Sequence, residues 1–188
     1  MTKIYDVLFC GNYTKDTIIT PDGTTYVDGG GMNYAAHASK QLGANPAVIT
    51  RLNKEDGGID CYPVFTPSST LMTLEYTTRD VDKRNLYVKG TAGTITPQQL
   101  EGLEARVIVT NSSLRGEVEL EFFTQMRKRP NVLLSADVQG FLRVLRGEAL
   151  VYEPWDEMTA VLKQLDILKS DAVEAEYLTG EKDIEKAA

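Results

Sequence analysis

Asp28-Gly29-Gly30-Gly31-Met32-Asn33-Tyr34-Ala35-Ala36 is a glycine run that opens directly into a small-residue helix ending near Leu42-Gly43. Glycine has no Cβ, so the backbone can turn sharply there and a ligand can lie almost against it. The residues from Met32 to Leu42 lack Pro and Gly and include Ala35, Ala36, Ala38 and Ser39, which lets a helix pack close to a sheet. Its first N–H groups have no partner within the helix, an end that suits a polar ligand. Three glycines on their own also make a plain flexible loop. The setting argues for more: Asp6-Val7-Leu8-Phe9-Cys10, then Gly11-Asn12-Tyr13-Thr14-Lys15-Asp16, precede the run, and Ala47-Val48-Ile49-Thr50-Arg51-Leu52 follows it. That is a β-loop-α-β order with polar residues at the loop.

Outward from this stretch, Asp6–Cys10 is a nearly continuous apolar run, the pattern of a strand buried on both faces of a parallel sheet. Thr14 and Asp16 lie beyond its carboxyl end, where open α/β sheets place ligands. An ionised Asp accepts several hydrogen bonds and donates none, so Asp16 could hold two neighbouring hydroxyls of a polyol; a solvated turn aspartate explains it as well. Thr17–Thr20 and Thr24–Val27 flank Pro21-Asp22-Gly23 as two short strands around a turn. Asn53-Lys54-Glu55-Asp56-Gly57-Gly58 is a polar turn. From Ser69 to Lys89 the sequence alternates, with Met72 and Leu74 on one face and Thr73 and Glu75 on the other, repeated at Leu86 and Val88 beyond Arg79-Asp80-Val81-Asp82-Lys83. Period two predicts half-buried strands outside the main sheet, a flap whose apolar face needs a partner.

From Thr96 helices and strands alternate. The pattern predicts a short helix from Thr96-Pro97 to Ala105, a strand at Val107–Val109, an amphipathic helix over Glu117–Arg129 and a strand at Val132–Leu134. Polar residues follow in Ser135–Arg143. A helix over Asp156–Gln164, a strand at Asp166–Lys169 and a helix over Ala172–Leu178 complete an α/β pattern, a mostly parallel sheet covered by helices. Asp183–Ala188 resembles the first turns of a helix, too short to stand alone, so the 188 residues are expected to be the amino-terminal part of one longer domain.

Composition narrows the function classes. With 42% hydrophobic and 25% charged residues and a net charge of −7, the chain is ordinary for a globular domain and carries no basic run beyond Arg127-Lys128-Arg129. Nucleic acid is therefore an unexpected partner. Cys10 and Cys61 fit no metal or redox spacing, and no apolar run approaches membrane-spanning length, which sets the expectation of a cytoplasmic protein without membrane contact. His37 on the glycine-run helix receives no role.

With its segments in this order, the sequence resembles the ribokinase-like carbohydrate kinases, also called the PfkB family, along the whole chain. Gly11–Asp16 is similar to the family's first-strand motif, whose Asp binds substrate hydroxyls, and Thr14 falls where ribokinases carry an Asn. The glycine run with Asn33 resembles the amino-terminal signature, in which glycines and an Asn line the sugar site; here Asp28 stands where the first glycine is usual. The resemblance thus assigns acceptor binding to Thr14, Asp16, Gly29, Gly30, Gly31 and Asn33. It makes the strands within about 17–28 and 69–90 a β-sheet lid that closes over the sugar and can join two copies into a homodimer.

Asp171-Ala172-Val173-Glu174 with Leu178-Thr179-Gly180 is similar to the family's Asn-x-x-Glu motif, with Asp171 replacing the Asn. Glu174 then matches the Glu that organises Mg2+ near the phosphates through water, although acidic residues at a helix start satisfy the same pattern. Leu134–Arg143 is most like a branch that includes inositol kinases. The resemblance implies ATP-dependent phosphoryl transfer to a hydroxyl of a sugar or cyclic polyol, myo-inositol-like first, with a nucleoside or ribose kinase or a non-catalytic sugar-binding fragment as alternatives. The family's proton-accepting carboxylate lies in a Gly-Ala-Gly-Asp motif that the 188 residues do not contain. A nicotinamide oxidoreductase fits poorly, because Gly11–Asp16 lacks the glycines that admit a pyrophosphate to a Rossmann helix.

Overall fold

The computed structural model describes residues 2–53, 58–80 and 83–187. In chain order the elements are β1 (Lys3–Cys10), β2 (Thr14–Thr20), β3 (Gly23–Gly29), α1 (Gly31–Gln41), β4 (Pro46–Leu52), β5 (Asp60–Phe65), β6 (Thr70–Glu75) and β7 (Asn85–Gly90). A 3-10 turn (Pro97–Leu100) leads to β8 (Leu103–Thr110), α2 (Leu120–Met126), β9 (Leu133–Asp137), α3 (Gln139–Leu142), β10 (Arg143–Arg146) and β11 (Ala149–Tyr152). The chain continues through α4 (Met158–Leu162), β12 (Ile167–Lys169), α5 (Ala172–Thr179) and α6 (Ile184–Ala187). Most of the turn expected at Asn53–Gly58, and Val81 and Asp82 between β6 and β7, lie outside the described residues.

Six strands form one sheet in the order β12-β9-β8-β1-β4-β5, every pairing parallel. The apolar run of β1 explains its central place. Leu8 and Cys10 enter one core with Ile49, Ile108, Phe122, Phe123 and Met126, while Val7 and Phe9 enter another with Val48, Met32 and Ala36. Helix α2 therefore covers one face and α1 the other, and the small Ala36 permits the close approach expected of the glycine-run helix.

The other six strands form a second sheet, β10-β11-β7-β6-β2-β3, with β2 and β6 parallel and the remaining pairs antiparallel. Here Asp16 pairs with Val27 and Met72, so β2 runs longer than the Thr17–Thr20 expected and takes in Thr14 and Asp16. Four further differences follow. Strand β5 was hidden by Pro63, which an edge strand tolerates. The helix expected to reach Ala105 stops at Leu100, because Gly102 turns at φ 73° and Leu103 pairs with Lys3. Glu117 lies outside α2, which starts only at Leu120. The hairpin of β10 and β11, which turns at Gly147 with φ 64°, was not expected at all.

One contact shows how tightly the carboxyl end of the parallel sheet is drawn together. A Cβ on Gly140 would sit 2.4 Å from Ser112 Cβ and 3.1 Å from Ser112 O, so α3 meets the residues after β8 with no room for a methyl group. Gly140→Ala should destabilise the protein by about 1–3 kcal/mol, read as a lower Tm by calorimetry. An unchanged Tm would show that the segment shifts freely.

Candidate active site

The carboxyl ends of the parallel strands face the crossings into the second sheet, and the expected acceptor residues lie there. Thr14 and Asp16 alternate onto one face of β2, opposite Gly29 and Val27. Thr14 is buried, and neither its Oγ1 nor Asp16 Oδ1 has a hydrogen-bond partner, although both atoms are shielded from solvent. Unpaired buried polar atoms are costly in a finished fold and are useful where a ligand supplies the missing partners. Burial pushes the Asp16 carboxyl above the usual carboxylate range, the Thr14 hydroxyl, close by but outside hydrogen-bond geometry, offsets part of this, and the charge of Asp28 adds to it.

The glycine run closes on the same point. Gly29 and Gly30 adopt φ 142° and 85°, and Gly30 caps α1, accepting from the N–H groups of Asn33 and Tyr34. A Cβ on Gly30 would lie 3.1 Å from Thr14 Oγ1, and one on Gly29 would lie 2.9 Å from Asn33 Nδ2. These two glycines thus bring the α1 terminus onto Thr14, and Asn33 stands over Gly29 in the first turn. Gly31 is the first helical residue. Asp28, at the usual first-glycine position, pairs with Lys15 on the face of β2 opposite Asp16.

Around this cluster are polar residues to which the sequence reading gave no role. Asn111 Oδ1 and Ser112 Oγ, just past β8, and Asn12 Oδ1, just past β1, are buried without partners. Polar residues after an apolar strand were the available signal. A larger cavity of about 740 Å3 lies between the start of α2 and the stacked Phe141 and Trp155. Its rim is formed by Glu119, Glu121, Asp156 and Glu157, and none of the unpartnered buried atoms belongs to its lining, so it is not the site.

The second pair of expected residues sits apart, at the start of α5. Asp171 Oδ1 accepts from Glu174 N at 2.8 Å and Glu174 Oε2 accepts from Asp171 N at 2.9 Å, a reciprocal cap. Glu174 Oε1 faces Arg143 Nη2 at 3.4 Å, and the Glu174 carboxylate is wholly buried. Burial pushes its carboxyl up, against the opposing pull of the Asp171 N–H and, more weakly, the Arg143 charge. Lys169 Nζ meets Asp137 Oδ2 at 3.0 Å beside this pair. Of the two carboxylates only Asp171 is exposed; Glu174 orients it.

No family model matches the sequence, and no curated protein matches it. Solved structures do. A pyrophosphate-dependent kinase in the ribokinase family, described in a sulfate complex, shares 31% identity over 96% of this chain and 67% of its own, with a TM-score of 0.88. The chain belongs to the ribokinase family. A structure of a pyrophosphate-dependent kinase of the family, complexed with a pyrophosphate analog and myo-inositol, shares 30% identity over 96% of this chain and 66% of its own, with a TM-score of 0.87. The ribokinase of Arabidopsis thaliana, complexed with ribose and ATP, shares 13% identity and a TM-score of 0.65 over 97% of this chain and 67% of its own, a likeness of fold alone. The chain thus spans about two thirds of the length of these family members. Their fold matches the α/β architecture with a mostly parallel sheet that the sequence predicted. Among the described residues, no helix is long and apolar enough to cross a membrane.

Proposed function

We propose that this ribokinase-family protein transfers a phosphoryl group to a hydroxyl of a cyclic polyol of the inositol class, and that Asp16, Thr14, Gly29, Gly30, Gly31 and Asn33 bind that acceptor. The observation that carries the reading is the pair of buried, unpartnered oxygens on Thr14 and Asp16 beneath the glycine turn at the start of α1. An ionised Asp16 accepts from two adjacent hydroxyls, the Thr14 hydroxyl donates to a third oxygen, and the open N–H groups at the helix start add donors. On the Asp16 face of the second sheet, Met72 and Val88 are buried, which suits a lid that keeps water from the acceptor. The opposite face exposes Tyr26 (78%) and Leu71 (37%), which supports pairing of two copies through this sheet.

The donor is proposed to be pyrophosphate rather than the ATP expected from the resemblance. The support is that the structures sharing 30–31% identity are of pyrophosphate-dependent kinases, whereas the ATP-bound ribokinase shares 13%. Magnesium fits Asp171, an exposed carboxylate held by its cap, and fits Glu174 only as the group that orients Asp171. When bound, the ion would neutralise charge on the donor phosphates. The residues of this chain bind, orient and dehydrate the acceptor; the proton-accepting carboxylate is assigned to the family's Gly-Ala-Gly-Asp segment.

The test is a phosphorylation assay on the protein of the complete reading frame, with Mg2+ and either pyrophosphate or ATP, against myo-inositol, ribose, fructose and nucleosides. Turnover of myo-inositol with pyrophosphate supports the proposal as stated. Turnover of ribose or a nucleoside corrects the acceptor, and dependence on ATP corrects the donor. Binding of a polyol by calorimetry with no turnover under either donor would favour a non-catalytic sugar-binding protein.

A further inference from the structure

Several of the segments that carry the chain between the two sheets converge on one buried carboxylate outside the acceptor cluster. Glu117 is 2% exposed, and its Oε1 accepts from Asn12 Nδ2 at 3.0 Å and from Thr70 Oγ1 at 3.1 Å. Its Oε2 accepts from Ser113 N at 2.6 Å. Asn12 lies between β1 and β2, Thr70 opens β6, and Ser113 follows β8. The third crossing, out of β7, is tied to the same point. Gly93 O accepts from Asn12 Nδ2, Ala92 N donates to Thr70 Oγ1, and Ile95 N donates to the backbone oxygen of Glu117. Thr94 Oγ1 completes the set by donating to Gly116 O at 2.7 Å.

A charge in the protein interior is expensive unless hydrogen bonds compensate it, and only an acceptor on both oxygens can satisfy these donors. Burial pushes the Glu117 carboxyl up, and the Ser113 N–H, the Asn12 amide and the Thr70 hydroxyl pull the other way. The donors come from residues 105 and 47 positions away, from both the parallel sheet's crossings and the second sheet, so the network fixes one sheet relative to the other.

We infer that Glu117 is a positioning residue that latches the second sheet, and with it Thr14 and Asp16, against the parallel sheet by gathering Asn12, Thr70 and the segment leaving β7. The inference deepens the proposed function and rests on it only for its kinetic consequence. Loss of the latch lets the second sheet, which carries Thr14 and Asp16 on β2, swing away from Asn33 at the start of α1 and from the strand ends of the parallel sheet, so the acceptor meets a less preorganised pocket.

The experiment compares the full-frame protein with Glu117→Gln, Thr70→Val and Thr70→Ser. In Glu117→Gln an amide NH2 must face a donor, so one hydrogen bond becomes a repulsion. Expected is a rise of about tenfold in acceptor KM with kcat changed far less. Hydrogen exchange should quicken in β2, β3, β6 and β7 while the central β1, β8 and β9 keep their protection. Thr70→Val should show the same pattern more weakly, and Thr70→Ser, which keeps the hydroxyl, should resemble wild type. Exchange that quickens equally in both sheets, or in neither, overturns the latch. Selective loosening of the second sheet in a protein that phosphorylates nothing would uphold the latch and sink the proposed function instead.

Discussion

Asp16→Asn should lower kcat/KM for the polyol acceptor by roughly a hundredfold to a thousandfold. The variant keeps the shape of the side chain but removes its charge and turns one acceptor oxygen into a donor. Hydrogen bonds to a charged group contribute about 1.5–3 kcal/mol each, and two hydroxyls would lose that benefit in whole or part, for a total of about 3–4 kcal/mol. The effect should be large here because Asp16 Oδ1 is buried without a hydrogen-bond partner and the nearby Thr14 hydroxyl offsets only part of that burial. A pH profile gives a second readout. The folded pKa of Asp16 lies above the ordinary carboxylate value because of burial, so acceptor kcat/KM should fall as the pH drops through that raised value. The stability sign is opposite. The ionised, buried form costs folding free energy at neutral pH, and that cost is relieved as protonation sets in, between the raised folded value and the ordinary unfolded one. The acid limb in kcat/KM attributable to Asp16 should vanish in Asp16→Asn. A variant with wild-type kcat/KM and the same limb would remove Asp16 from the acceptor site.

The parts of this site that could be read from the sequence are those whose signal is local. β1 was legible because five consecutive residues from Asp6 to Cys10 carry the pattern of a buried strand, and the glycine turn because Gly29 and Gly30 do need positive φ. Asp16 could be placed past a strand end, but its inclusion in β2 rests on pairing with Val27 across the hairpin and with Met72, a contact 56 positions away that no spacing within β2 encodes. Glu117 was the hardest to see. Val118, Phe122 and Met126 have helical spacing, which drew Glu117 into the same helix, yet its environment is set by Asn12 and Thr70. Pro63 concealed β5 for the reverse reason: a local signal against a strand is overridden at a sheet edge, where a missing N–H can face away from the ladder. Glu174 joins both cases, since its cap with Asp171 is a local pattern and its ion pair with Arg143 is not.

That ion pair sets the largest expected stability effect. Arg143→Ala should destabilise the fold by about 3–5 kcal/mol, because it leaves the Glu174 carboxylate buried without a counter-charge. At roughly 2–4 °C per kcal/mol for a domain of this size, Tm should fall by at least about 6 °C. The pair's side chains are 8% and 1% exposed, so water cannot take the place of the guanidinium. The pH dependence identifies the cause. Burial already holds the folded pKa of Glu174 above the ordinary value, and removing Arg143 takes away a charge that pulls it down, so the variant's value rises further. The deficit should be complete where Glu174 is ionised in both states, above the variant's raised folded pKa. It should shrink as the pH falls through that value, because the native state then takes up its proton before the unfolded chain does. Arg143→Ala combined with Glu174→Gln separates charge from packing. A double variant more stable than Arg143→Ala alone shows that the uncompensated carboxylate was the cost; one equally unstable assigns the loss to the missing Arg143 side chain. The charge account fits the geometry better, since Arg143 Nε has no partner and the guanidinium is held chiefly through the single 3.4 Å contact with Glu174. A guanidinium so incompletely satisfied is a poor choice for packing alone, and its place beside the cap that orients Asp171 ties the stability of the start of α5 to the part of the site where the donor is proposed to bind.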